Sequence, residues 1–334
     1  MREGLAAEPS DPRPGAGGPL VAAAAVRLDD LQELTHGLRA DLVQRGEFLP
    51  SSWVEEAAAQ LRSGELQGWV LTGPPASGLA FLSPRARRAY GHVHVPPGPD
   101  GLARVHRLME PLRTVAASVP RPRIDVGVTG LDAPGEEALA AHVPAGESLL
   151  FRDCLEWTLP PAPPSAPEPP AGWRAGGIGD VPLSQLARVD WAAFQGTPDA
   201  SLVADTVEDD ERVLREIREN RLGRFLPEAS TVLFDPTGTV TAFLMTAEQT
   251  PRRAIFLDLV VRTDARRRGV GRYLLTWGAR ALAALGYESV RLWVSESNEA
   301  ARRLYASIGF VPHSRAVIYR FGGDTAEPQP QRSR

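Results

Sequence analysis

Three spacings of apolar residues recur along this chain: alternation, recurrence every three or four positions, and short solid runs. Together they divide it into strands and helices. In the first half the pattern predicts a strand over 21–28 and a helix over 31–43 with Leu31, Leu34, Leu38 and Leu42 on one face. A helix over 53–62 follows, then strands over 68–72, 79–82 and 90–95. Next come a helix over 102–119, a strand over 123–128, a helix over 134–141 and a strand over 149–159. The second half predicts helices over 182–194 and 209–220, then a hairpin of 231–234 and 240–247 around Asp235-Pro236-Thr237-Gly238. A solid apolar strand over 255–261 leads through an Arg- and Gly-rich turn into a helix from Gly271 to about Leu285. A strand over 290–294, a helix opened by Asn298 and a last strand over 317–321 complete the pattern.

The order strand, loop, helix, strand, helix, strand occurs in both halves, which implies an internal duplication with a period of roughly 150 residues. Between the copies lies TLPPAPPSAPEPPAGW, residues 158–173, an extended Pro-rich linker. The expected organisation is a disordered tail over 1–18, a first domain over 19–157, the linker, a second domain over 174–322 and a polar tail over 323–334. The fold class is α/β, with a mixed sheet of the α+β type in each domain.

Composition narrows the function. The 334 residues carry a net charge of −4, giving no global case for nucleic acid or an anionic membrane. No apolar run approaches the ~18 residues of a membrane span, and Pro19–Val26, faintly like a leader, reads as a strand. The single cysteine, Cys154, excludes an internal disulfide framework and agrees with a reducing cytoplasm.

The chemistry concentrates at the turn Arg266-Arg267-Arg268-Gly269-Val270-Gly271. A strand feeding a helix through such a turn aims free N–H groups and the positive end of the helix dipole at one point, a ready site for phosphate. A Walker loop is excluded, because Arg272-Tyr273 follow the last glycine and the chain has no lysine; a dinucleotide fingerprint fails because Leu274 replaces its third glycine. What remains, Arg-x-x-Gly-x-Gly after Val261, resembles the pyrophosphate loop of the GNAT superfamily of N-acyltransferases. Downstream, Asn298-Glu299-Ala300-Ala301-Arg302-Arg303-Leu304-Tyr305-Ala306-Ser307-Ile308-Gly309-Phe310 is similar to the superfamily's second signature. The two motifs cover roughly residues 174–322.

The resemblance implies two GNAT-like folds in tandem, the first degenerate: Pro96 and Pro97 remove donors and Asp100 repels anions where the second copy has arginines. It implies acetyl-CoA as cosubstrate, with no metal, and direct transfer of the acetyl group to a primary amine of a small molecule or peptide. The cofactor contacts it implies are Leu259, Val260, Val261, Arg266, Arg267, Arg268, Gly269, Val270, Gly271, Arg272, Asn298, Ala301 and Tyr305. Tyr305 matches the position of the acid that protonates the leaving thiolate; packing against Ala301 and Leu304 is the alternative. The general base is left open between Asp258, Glu296 and a recruited water, a structural role being an equal reading for either carboxylate. A non-catalytic acyl-CoA-binding or sensing module is the rival function, and monomer and homodimer both remain open.

Other signals weigh less. His92 and His94 share a strand face but have no third metal ligand at useful spacing. Cys154 in an alternating strand reads as buried, and Arg85-Ala86-Arg87-Arg88 as a solvated loop. Asp199, after Pro198, reads as a turn or cap residue in the stretch where the superfamily forms its acceptor site.

Overall fold

The computed structural model describes residues 18–47, 49, 52–73, 77–84, 88–118, 123–160, 167–197 and 199–322. The two tails, residues 161–166 of the linker, Pro198 and the 85–87 basic cluster lie outside them.

In chain order the elements are β1 (Leu20–Ala22), α1 (Leu28–Arg45), α2 (Trp53–Ser63), β2 (Gln67–Leu71), β3 (Gly78–Pro84), β4 (Arg88–His94), α3 (Gly101–Ser118), β5 (Arg123–Thr129), α4 (Ala133–Ala141) and β6 (Glu147–Thr158). Then come β7 (Arg174–Gly177), α5 (Leu183–Phe194), α6 (Ala200–Val203), α7 (Val207–Arg218), β8 (Arg224–Phe225), β9 (Thr231–Phe234), β10 (Val240–Thr250) and β11 (Arg253–Val261). The chain ends with α8 (Val270–Ala284), β12 (Ser289–Ser295), α9 (Glu299–Ala306) and β13 (Val311–Phe321).

The chain forms two compact units that are not colinear with its halves. The first comprises residues up to Asp41, Ser51–Leu149 and Val317–Glu327; the second comprises Leu42–Pro50, Leu150–Ala316 and the C-terminus.

In the first unit the strands run β1-β2-β3-β4-β5, with Val317–Phe321 of β13 antiparallel to β5 at the edge. Leu31, Leu34 and Leu38 of α1 are buried, as their spacing requires. Asp132 caps α4 by accepting from Gly135 N at 2.9 Å, with a proline in the first turn. β4 and β5 are parallel and stay paired over seven positions, Arg88↔Arg123 to His94↔Thr129. Val95 N then donates to Thr129 O, and Gly130 (φ +88°) lies so close that a Cβ there would run into the Val95 carbonyl. The predicted first strand is shorter than expected: after Ala22 the alanines tighten into a 3₁₀ turn.

In the second unit the order is β6-β12-β11-β10-β9-β7, with β8 on β10; residues Arg152–Thr158 of β6 pair antiparallel with β12. One face is covered by α8 and α9, packed through Leu274, Leu275, Ala279, Leu282 and Tyr305. The other is covered by α5 and α7 through Leu186, Ala187, Ala193, Leu214 and Ile217. Thr206 caps α7, accepting from Asp209 N at 3.1 Å, and three acidic residues occupy its first turn. β7 and β8 have no counterpart in the sequence expectation; they are short, and β7 holds two glycines that give no apolar alternation.

No helix among the described residues is long and apolar enough to cross a membrane.

Candidate active site

Two irregularities of the second unit's sheet create the site. β11 and β12 are parallel, yet their recorded pairing is Arg253↔Ser289, Ala254↔Val290 and Ile255↔Arg291. Beyond Ile255 the strands part, so the edge of Phe256–Val261, with Leu259, Val260 and Val261, faces a wedge instead of a neighbour. On its other side β11 slips register against β10 between Met245↔Asp258 and Thr246↔Phe256, leaving Leu257 as the extra residue of a bulge. The bulge breaks the alternation. Phe256, Leu259 and Val261 face the α8 core, whereas Leu257 and Val260 pack in the α5/α7 core. Asp258 turns to the α5/α7 side as well, so Leu257 is in phase with it, contrary to a regular strand.

At the wide end of the wedge the chain turns into α8. Arg267 (φ 59°) and Gly269 (φ +80°) both take left-handed backbone conformations, which cost an ordinary residue and cost glycine little. Gly269 is the N-cap and supplies no side-chain cap, so the N–H groups of Val270, Gly271 and Arg272 begin the helix without an intrahelical acceptor. Arg267 and Arg268 are exposed and carry no side-chain bond among the described residues. Arg266 and Arg272 differ from them. Arg266 donates to Val261 O at 3.2 Å and to Ala193 O, fixing the turn to β11 and α5. Arg272 donates to Ser307 Oγ at 2.6 Å. Two of the four arginines are thus free for an anion and two hold the turn in place.

Asn298 is the N-cap expected of it, its Oδ1 accepting from Ala301 N at 3.2 Å. Its Nδ2 donates to Asp199 Oδ2 at 2.6 Å. Asp199 is 7% exposed, and its Oδ1 accepts from Ser295 N at 3.2 Å and from Ser295 Oγ. Asp199 stands in a turn at the N-cap position of α6, as expected, but its side chain makes no cap bond there: it ties the α5–α7 connection to the end of β12 and fixes the start of α9. Tyr305 is 8% exposed, against Phe310 with ring centroids 5.8 Å apart. Burial, then the negative charges of Asp199 and Asp258, drive its hydroxyl far above the ordinary phenol range, so it is a proton donor at neutral pH.

The two base candidates have different surroundings. Glu296 is paired with Arg315 at 3.0 Å. Asp258 has no cation beside it. It meets Asp190 of α5, and Asp190 meets Asp210 of α7. Asp190 and Asp210 are 1% and 0% exposed, with carboxylate oxygens that accept no side-chain donor other than a neighbouring carboxyl. Burial raises all three. Asp258 rises to about 6 and Asp210 to about 7, and Asp190, flanked by both, rises well above its ordinary value. Asp190 and Asp210 were absent from the sequence expectation, although a signal existed. Asp190 lies four residues after Leu186 and three before Ala193, and Asp210 four before Leu214 and seven before Ile217. Each therefore sits on the buried stripe of its helix.

The discounted residues are structural. Cys154 is fully buried and burial pushes its thiol up to about 11. His94 Nδ1 is 2.9 Å from Thr129 Oγ1, and burial holds His92 down to about 4. No group of three or more candidate metal ligands forms among the described residues.

Comparison with known proteins bears on the family and the fold. Residues 186–310 match the Acetyltransferase (GNAT) family. A mycothiol acetyltransferase of Frankia alni is 28% identical over 286 residues, 81% of this chain and 82% of that protein. One of Propionibacterium freudenreichii subsp. shermanii is 33% identical over 196 residues, spanning 56% of this chain and 58% of that protein. Among solved structures, a GCN5-related N-acetyltransferase from Sphaerobacter thermophilus superposes with a TM-score of 0.64 at 20% identity, covering 91% of this chain and 95% of its own. A tandem GNAT protein from the clavulanic acid biosynthesis pathway gives 0.57 at 17% identity, covering 93% and 98%. At those identities the structural likeness speaks to the fold.

Proposed function

We propose that this chain, whose residues 186–310 match the GNAT acetyltransferase family, transfers an acetyl group from acetyl-CoA to the primary amine of a small molecule. The observation that carries the reading is the wedge between β11 and β12 ending at the uncapped start of α8. A wedge one strand wide accepts an extended pantetheine arm, and the free N–H groups of Val270–Arg272 with Arg267 and Arg268 suit the pyrophosphate. The backbone of Leu259–Val261 would hold the arm as a neighbouring strand would, and an N–H at the bulge would polarise the thioester carbonyl. Ala301 and Asn298 build the α9 side of the wedge; Asn298, doubly bonded already, acts there chiefly by positioning. The name shared by the curated relatives supports a small-molecule acceptor over a peptide.

Asp258 is the base this geometry favours, and Glu296 the lesser candidate because its carboxylate is paired with Arg315. Asp258 removes a proton from the acceptor's ammonium, the freed amine attacks the thioester carbon, Tyr305 protonates the departing thiolate as the amide forms, and the second proton the nitrogen then sheds restores the Tyr305 hydroxyl. Both groups start in the required state near neutral pH: Tyr305 protonated, and Asp258 titrating at about 6. Titration of acetyl-CoA into the full chain by calorimetry tests the reading. One site per chain is expected, together with CoA release across a panel of primary amines. Binding without turnover for any amine would leave a sensing module, and no binding at millimolar ligand would refute the donor site.

A further inference from the structure

Asp190 and Asp210 take no part in the mechanism as written. Two side chains this costly to bury should be neutralised by an arginine or a metal, or replaced by apolar residues. Neither neutralising partner is there. Among the described residues no cation lowers any of the three carboxyls, and each contacts the next in the order Asp258, Asp190, Asp210. Asp258 keeps some exposure and adjoins Tyr305 electrostatically; the other two are sealed behind it.

The groups around them are few. From β11 there is Asp258, from α5 Asp190, from α7 Asp210 with a backbone donor from Trp191, and from α9 the Tyr305 hydroxyl. Such an array keeps its charge low only by retaining protons. Asp190, between two carboxylates that both raise it, is the one that stays protonated. Its single O–H can serve one neighbour at a time, Asp258 or Asp210, and contact with Asp190 lowers both of them.

Resting on the transferase reading above, we propose that Asp190 and Asp210 form a buried proton relay behind Asp258, the acceptor's proton passing from Asp258 to Asp190 while Asp190 delivers its own to Asp210. The balance is simple. The ammonium loses one proton and becomes the attacking amine, Asp258 gains it and returns to the carboxylate by passing it on, and Asp210 holds it until the product leaves, when it returns through Asp190 and Asp258 to the open cleft, with no redox change. Asp258 is half-buried while Asp190 and Asp210 are sealed, so the transfer runs away from the cleft. Asp258 is the catalytic residue; Asp190 and Asp210 act through it.

The test uses the full chain, with 2-aminoethanol as the acceptor probe and ¹³C-carboxyl NMR alongside. The wild type should show aspartate carboxyls titrating near pH 6–7, and Asp210→Asn should remove one and move the Asp258 resonance to lower pH. Asp190→Ala, which deletes the donor to Asp258, should move that resonance upward. Asp190→Asn keeps a donor and should restore its position. The acidic limb of CoA release should shift in the same opposite directions, with the plateau rate falling roughly tenfold in Asp210→Asn. A merely structural pair would lower activity at every pH without moving the limb. Three carboxyls titrating below pH 5, or superimposable titrations for wild type, Asp210→Asn and Asp190→Ala, would overturn the relay. Failure of acetyl-CoA to bind would instead strike the transferase reading, and the carboxyl titrations, which need no turnover, would still decide whether the array exists. If 2-aminoethanol gives no turnover, those resonances alone decide.

Discussion

The two units contain the same pair of neighbouring parallel strands followed by a helix, and they treat that pair in opposite ways. In the first, β4 and β5 stay hydrogen-bonded for seven positions, and Val95 extends the closure. In the second, β11 and β12 part after three. Paired backbone groups have nothing left to offer a ligand, whereas parted strands expose a row of donors and acceptors that an extended molecule can satisfy. The turns that follow show the same contrast: Pro96-Pro97 removes donors in one, and two left-handed residues present them in the other. The difference teaches that parallel strands which complete their own hydrogen bonds leave no edge for an extended ligand.

The largest effect that would test this contrast is on turnover. Tyr305→Phe should lower CoA release about 10²-fold with acetyl-CoA affinity within about twofold, measured by initial rates and calorimetry. An unchanged rate would move the acid elsewhere. Next in size is a lesion in the closed unit. Gly130→Ala forces a Cβ toward the Val95 carbonyl at a positive φ, and should destabilise the chain by about 2–4 kcal/mol in denaturant unfolding. Acetyl-CoA affinity should not change, because the proposed donor site lies in the second unit. Arg267→Glu with Arg268→Glu should weaken acetyl-CoA by about tenfold, and by less at high salt, without altering the stoichiometry of one. Two sites per chain in the wild type would break the comparison outright.

The smallest effect sharpens it by pH. In the second unit the buried carboxyls have folded values raised to about 6 and about 7, above those of the unfolded chain. Their contribution is fully present below about pH 4 and lost as pH rises through 6–7. In the first unit burial lowers His92 to about 4, so its contribution is present above about pH 6.5 and lost as pH falls through 4. Thermal melts should show Asp190→Asn/Asp210→Asn relieving the loss toward pH 8 by a few degrees, and His92→Gln relieving the loss toward pH 4.

Much of the second unit was legible in the sequence because its information is local. The run over β11, the glycines before α8 and the Asn298 cap each declare themselves within a few residues. The wedge was not legible, since strand separation depends on register across segments roughly 35 residues apart, which no local period reports. The bulge at Leu257 shifts phase by one residue and puts Leu257 and Asp258 on one side, against the alternation of a regular strand. The side-chain partners of Asp199 were not legible for a related reason: Ser295 and Asn298 lie almost a hundred positions away in sequence. Asp190 and Asp210 carried a readable signal, charge on an apolar stripe, but only the fold brings the two stripes onto one aspartate.

The exchange of strands between the units has a consequence for any division of the chain. Residues 150–158 of the first half complete the second unit's sheet, and residues 317–321 of the second half complete the first's. A chain cut at the proline-rich segment would therefore give two fragments, each lacking strand residues of its own unit and carrying residues that belong to the other. Neither half of the sequence alone holds a whole unit.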